Sequence, residues 1–328
     1  MSAAAPFPKI ELHVHLEATV RPRDLFEMAR RNEYALPVSS DAELEDLYRF
    51  RDFEHFLELW LLVTPVIQTE RDFRQVVVGY AREAAAHGAT YVEGIFTPVE
   101  RIDGGASWDE VFSGFCDGIV EAKEEVGLDM RLTVDIPRVR GLDVAIETVR
   151  YAAKYRHRGV VGVGIGGPEA GFPPEPFGPA FRMAKAEGLG SVPHAGEAAG
   201  ASSVRGAIDT LYADRLRHGI RAVDDPGLLR EIAARGIVCD VCPVSNLRTR
   251  VVASIDDHPL PQMAASGVLC TINTDDPAMF NTDLGREHEV AAQLGYSPRE
   301  AFYAGLRGAL CEANVRERLQ SVYNGWWD

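Results

Sequence analysis

Lys9-Ile10-Glu11-Leu12-His13-Val14-His15-Leu16-Glu17 alternates apolar and polar residues and carries β-branched side chains, a pattern that reads as a strand. Strand side chains alternate between faces, so His13 and His15 point the same way, about 7 Å apart along the chain. Two imidazoles on one face can close on a single metal ion. A bare His-x-His is equally compatible with a half-buried structural strand, so the rest of the chain has to decide between the two.

Outward from this strand, a short amphipathic helix is expected over 22–32 and a long helical stretch over 41–88. From there β-rich runs alternate with helical runs. Strands are predicted over 90–96, 131–136, 160–165, 190–194, 215–219, 237–242 and 268–273, and helices over 108–126, 142–155, 179–187, 203–212, 226–235 and 260–266. With the first strand this makes eight β/α units, which implies a parallel sheet. Eight is the number in a (β/α)8 TIM-type barrel. At 328 residues, 46% hydrophobic and 25% charged, the chain has ordinary globular composition and a length that suits one such barrel. No linker, low-complexity segment or repeat interrupts it. The expectation is a single domain over 1–328, with 41–88 as extra helices inserted after strand one.

The net charge of −15 argues against phosphate backbones and anionic lipid, so neither nucleic acid nor a membrane is expected as a partner. No apolar run approaches the ~20 residues of a membrane helix. The longest, over 57–67, is broken by Glu58, Thr64 and Pro65. The start of the chain has neither the basic residues nor the apolar run of a signal peptide, and five scattered cysteines suit reduced thiols; a cytoplasmic location is expected. Homo-oligomerisation is left open.

In such barrels chemistry sits at the C-terminal ends of the strands. The polar residues there are His13 and His15 (first strand), His194-Ala-Gly-Glu197 (fifth), His218 (sixth) and Asp275-Asp276 (eighth). His13, His15, His194 and Asp275 make a three-imidazole, one-carboxylate set that suits Zn2+, with a position left for water. Glu197, on the loop leaving the strand of His194, is placed to deliver a proton. His218 and Asp275 are placed to orient or deprotonate the water, and Asp276 is free to accept a hydrogen bond from a substrate N–H.

Two motifs are set aside. Gly162-Val-Gly164-Ile-Gly-Gly167 fits GxGxxG after a strand, but Pro168-Glu-Ala-Gly-Phe-Pro-Pro follows where a dinucleotide site needs a helix. Close approach of backbone to a ligand is the better reading. Cys239-Asp-Val-Cys242 is CxxC in form, yet positions three apart on a strand face opposite ways, so these are packed thiols. His55, His87, His157, His258 and His288 show no partner pattern and are expected to be surface or packing residues.

The segments Pro8-Lys-Ile-Glu-Leu-His13-Val-His15-Leu, His194-Ala-Gly-Glu197, Arg217-His218-Gly219, Cys242-Pro-Val-Ser-Asn246 and Asn273-Thr-Asp275-Asp276-Pro277 together resemble the adenosine deaminase family of zinc purine aminohydrolases. The likeness runs from Pro8 to about Ala313. It implies one zinc per chain on His13, His15, His194 and Asp275. It implies that Glu197 protonates purine N1, that His218 and Asp275 activate the water that attacks C6, and that Asp276 hydrogen-bonds N7. A backbone N–H near Gly167 would contact N3. The departures lie away from the metal. Glu17-Ala18 stands where nucleoside enzymes carry Asp-Gly, Ile95 where they carry Arg, and Gly164-Ile-Gly-Gly167-Pro-Glu169 where they carry Asp-Leu-Ala-Gly-Asp-Glu. Glu17 and the Gly171–Pro174 run look more like the branch with adenine deaminases and aminodeoxyfutalosine deaminases. The resemblance therefore implies a small-molecule 6-aminopurine substrate altered at its N9 side, with room made by Gly164, Gly166 and Gly167 and a contact from Glu17. The first candidate is 6-aminodeoxyfutalosine of menaquinone synthesis; adenosine and adenine are the alternatives. A binuclear amidohydrolase would need a bridging Lys at the end of strand four, which reads Ile165-Gly-Gly-Pro. A non-catalytic relative is disfavoured because every ligand, acid and base position is occupied.

Overall fold

The computed structural model describes residues 6–327, so positions 1–5 and 328 of the expected domain lie outside the described residues. β1 (Lys9–His15), β2 (Ala89–Phe96), β3 (Asp129–Pro137), β4 (Val160–Gly166) and β5 (Gly190–Ser191) form one parallel sheet in that order. β6 (His194–Ala195), β7 (Arg215–His218), β8 (Val238–Val241) and β9 (Cys270–Ile272) form a second. β5 and β6 are the two ends of the strand expected over 190–194. Pro193 lies between them and has no N–H for the ladder. The backbone nevertheless carries through, since Val192 N–H donates to Val163 O at 2.9 Å and Pro193 O accepts from Arg217 N–H at 3.0 Å. On the opposite seam His15 N–H donates to Asp275 O at 2.7 Å and Asp275 N–H to His13 O at 3.1 Å. The two seams close the (β/α)8 barrel, and the second draws Asp275 against the two histidines of β1.

The outer helices follow from local chemistry. The helix Trp108–Val126, for example, starts on a Ser107/Glu110 capping box and stops at Gly127, whose φ of +74° needs no Cβ. The stretch expected as one insertion divides in two. After α1 (Pro22–Arg31), the helices α2 (Asp41–Leu47) and α3 (Phe53–Val63) precede α4 (Glu70–Ala86). α4 packs against the helix Trp108–Val126 in the outer ring, with Gly114 and Gly118 admitting Phe73 and Val77. α3 instead presents Phe53, Phe56 and Trp60 to the barrel mouth. Three helices that the periodicity reading did not assign (Leu284–Gln293, Pro298–Gly308 and Ala313–Trp327) complete the fold. Pro298–Gly308 packs on β1 and β9, with Gly305 facing Ile10 and Gly308 facing Leu12. Among the described residues no helix is long and apolar enough to cross a membrane.

Below the mouth, the barrel interior is held by buried ion pairs. Arg215, fully buried, donates to Glu93 Oε2 at 2.8 Å and Asp240 Oδ2 at 2.5 Å. One layer up, Arg217 pairs with Asp135 and donates to Thr133 Oγ1 at 2.7 Å. Gly164 makes space for this second pair: a Cβ there would lie 2.5 Å from Arg217 Nη1 and Asp135 Oδ1 and 2.6 Å from Val192 O. The expectation that Gly164 makes room for substrate is thus corrected. Gly164→Ala should destabilise the fold by about 1–3 kcal/mol through overpacking, read as a lower denaturant midpoint; an unchanged midpoint would show that the layer can yield.

Candidate active site

His13 and His15 leave β1 on one face as the strand period demands, His194 opens β6, and Asp275 follows β9. His194 Nε2 lies 3.1 Å from His13 Nε2 and 3.2 Å from His15 Nε2. Asp275 Oδ1 lies 3.0 Å from His13 Nε2 and 3.4 Å from His15 Nε2. His218 and Asp275 both hold left-handed backbone, at φ +62° and +63°. For a non-glycine residue that conformation costs about 1–3 kcal/mol and persists only where the surroundings over-determine it.

The donor set fits a metal. His194 Nδ1–H donates to Ile165 O at 3.0 Å, so its Nε2 is a bare lone pair aimed at two other Nε2 atoms and a carboxylate. Burial pushes His13, His15 and His194 below the usual histidine range, which keeps the imidazoles neutral. Lone pairs converging at this spacing repel unless a cation lies among them. Donors about 2.0–2.2 Å from one zinc, at angles between right and tetrahedral, stand about 2.8–3.6 Å apart. Asp135 Oδ2 lies 3.3 Å from His194 Nδ1 and adds a carboxylate behind that ring. His13, His194, His218 and Asp275 have ligand atoms within 4.8 Å of one another, and His15 groups in the same way with His194 and Asp135, and with Asp275 and Asp276.

Around this group lie carboxyls of opposite character. Burial, Asp275 and Glu169 push Glu197 well above the usual carboxylate range. Despite its burial, Asp275 is held well below it by the imidazoles of His13, His218 and His15, and Ser245 Oγ–H donates to its Oδ2 at 2.6 Å. Burial and Asp275 push Asp276 up, while Trp60 Nε1–H donates to its Oδ1 at 3.0 Å. His218 Nε2 stands 3.4 Å from Glu197 Oε2 and 3.7 Å from Asp275 Oδ2.

Glu169, in the loop that follows β4, organises the loop of Glu197. It accepts the backbone N–H groups of Gly196, Glu197, Ala198 and Ala199 at 2.5–3.0 Å, and the hydroxyl of Ser203. Trp60 was missed as well, because it lies 216 residues from Asp276 on a helix outside the β/α repeat. Ser245 and Asn246 carried a signal, since both follow β8 within the Cys242–Asn246 motif. His258, expected as a surface or packing residue, is buried and contacts Asn246 Oδ1 at 3.1 Å in the layer behind His218.

The pocket above the group opens to solvent, and the space there, solvent at the mouth included, is about 790 Å³. His15, His194, Glu197, His218, Asp275 and Asp276 form its floor; Phe53, Phe56, Leu57, Trp60 and Leu61 of α3 form an apolar wall. Gly167, at φ +88°, lines it with open space at its Cβ position. Glu17 is not among the lining residues: it is buried, its Oε1 accepts Thr97 N–H at 2.7 Å, and its Oε2 has no hydrogen-bond partner among the described residues. Gly166 and Gly167 are followed by a loop and not by a helix, as the sequence had suggested.

Comparison with known proteins agrees with this geometry. The family profile described as "Adenosine deaminase" matches residues 8–324. An aminodeoxyfutalosine deaminase of Acidothermus cellulolyticus is 51% identical over 322 residues, 96% of this chain and 90% of the relative. The crystal structure of an adenine deaminase from Arthrobacter aurescens superposes with a TM-score of 0.92 at 31% identity, over 97% of this chain and 98% of that one. A Burkholderia ambifaria amidohydrolase solved with bound Zn has a TM-score of 0.88 at 27% identity, over 97% and 90%.

Proposed function

The chain belongs to the adenosine deaminase family, and from that premise we propose that it is a zinc-dependent hydrolytic deaminase that exchanges the C6 amine of a 6-aminopurine for oxygen and releases ammonia. The convergence of the Nε2 atoms of three imidazoles and the Asp275 carboxylate carries this reading. His13, His15, His194 and Asp275 would hold the ion. When bound, zinc supplies Lewis acidity that brings the pKa of water down to ~7. Purified protein should return one zinc per chain by metal analysis; two would favour a binuclear hydrolase.

The remaining chemistry belongs to the side chains. Glu197 starts protonated in its buried loop and gives that proton to purine N1, which draws electrons from C6. Asp275, whose carboxylate accepts the Ser245 hydroxyl, takes the proton of the attacking water and passes it to the departing amine, which leaves as ammonia while the C6 hydroxyl proton restores Glu197. Asp276, kept neutral and aimed by Trp60, donates to the lone pair of N7. The backbone N–H near Gly167 serves N3.

For the N9 side, 6-aminodeoxyfutalosine is the best-supported substrate. The relative at 51% identity favours it, as do the apolar α3 wall and the open space at Gly167. The structural likeness to an adenine deaminase favours free adenine as the second reading. In a panel of 6-aminodeoxyfutalosine, adenosine and adenine, kcat/KM should be highest for the first. A higher value for either of the others would replace it.

A further inference from the structure

We propose that Asn246 and His258 are positioning residues that present His218 to the reacting centre as a neutral imidazole with its proton on Nε2. The inference rests on the deaminase reading above and adds to it the tautomer of His218 and the groups that impose it.

The direction of every bond follows from one backbone amide. Leu260 N–H donates to His258 Nδ1 at 3.1 Å, and a backbone N–H can only donate. His258 Nδ1 is therefore bare, and its ring proton sits on Nε2. That proton is given to Asn246 Oδ1 at 3.1 Å. With Oδ1 committed, Asn246 turns Nδ2–H toward His218 Nδ1 at 3.2 Å. His218 Nδ1 must then accept, and its proton lies on Nε2, facing Glu197 Oε2 and Asp275 Oδ2. All three side chains are buried, so no water substitutes for a missing partner at little cost. Burial holds His258 at about 4, so a second ring proton does not break the order.

Two consequences follow. His218 clusters with His13, His194 and Asp275, yet an N–H has no lone pair for a metal, so His15 completes the set and not His218. His218 also begins as a hydrogen-bond donor to the nucleophilic oxygen. The base that the sequence shared between His218 and Asp275 is then Asp275 alone.

The test uses zinc-loaded protein labelled with 15N at histidine. Two-bond 15N–1H correlations, assigned through His218→Gln, should show His218 neutral with Nδ1 unprotonated. A proton on Nδ1, or an imidazolium at pH 7.5, would overturn the proposal. Asn246→Asp keeps the shape but turns the donor into an acceptor, which pulls the proton to Nδ1. It should lower kcat by ~10²-fold or more while KM and zinc content stay near wild type; a loss below about threefold would also overturn it. His258→Gln retains an N–H for Asn246 and should keep far more of kcat than His258→Leu, and equal losses would remove His258 from the relay. If wild-type protein deaminates no aminopurine, the deaminase reading fails, while the resonance assignment still decides the tautomer.

Discussion

Glu197→Gln is expected to keep its zinc and lose ~10²-fold or more in kcat, because general acid catalysis contributes about that much. Gln matches Glu in size and can still hydrogen-bond N1, but it has no proton to give. KM should therefore change little, which separates loss of proton transfer from loss of binding. The wild-type carboxyl is raised by burial and by the negative charges of Asp275 and Glu169, so it holds its proton at neutral pH. In the proposed mechanism only the protonated form acts. Activity should accordingly be lost as pH rises through that raised value, and Glu197→Gln should lack this alkaline limb. A variant with wild-type kcat would exclude Glu197 as the proton donor. Near-total loss of zinc would instead give the residue a structural part in the metal group.

Arg215→Met carries the largest expected effect on stability. Arg215 donates to Glu93, Asp240, Gly308 O and Leu12 O, and is fully buried. Met fills a similar volume but leaves two buried carboxylates without their counter-charge. Breaking a buried pair in this way costs about 3–5 kcal/mol. Denaturant unfolding of the two proteins should show that difference in the extrapolated free energy. A loss under about 1 kcal/mol would mean that Glu93 and Asp240 take up protons or rearrange at little cost. The site lies above this layer, so the folded fraction of the variant should still bind zinc.

The barrel was legible in the sequence because its signal is local. Alternation with period two or with helical period depends on neighbours a few residues away, and eight such units mark the fold. The strand expected over 190–194 is a single run in the sequence, and the structure interrupts its ladder at Pro193 for want of an N–H. The ligand candidates were legible for a related reason. Strand period puts His13 and His15 on one face, and strand ends put His194, Glu197, His218, Asp275 and Asp276 around one mouth.

What lay out of reach was every decision made between distant segments. Trp60 on Asp276, Glu169 beneath the Glu197 loop and the order His258–Asn246–His218 are side-chain contacts that no periodicity encodes. Gly164 and Glu17 show the same limit, since the sequence places both near substrate and packing assigns Gly164 to an ion pair and Glu17 to a buried hydrogen bond. The sequence by itself determined the architecture and the chemical types at the strand ends, because both rest on short-range backbone geometry. Only the tertiary structure decided protonation, because whether a carboxyl keeps its proton or which imidazole nitrogen is bare depends on burial and on partners brought together from across the chain.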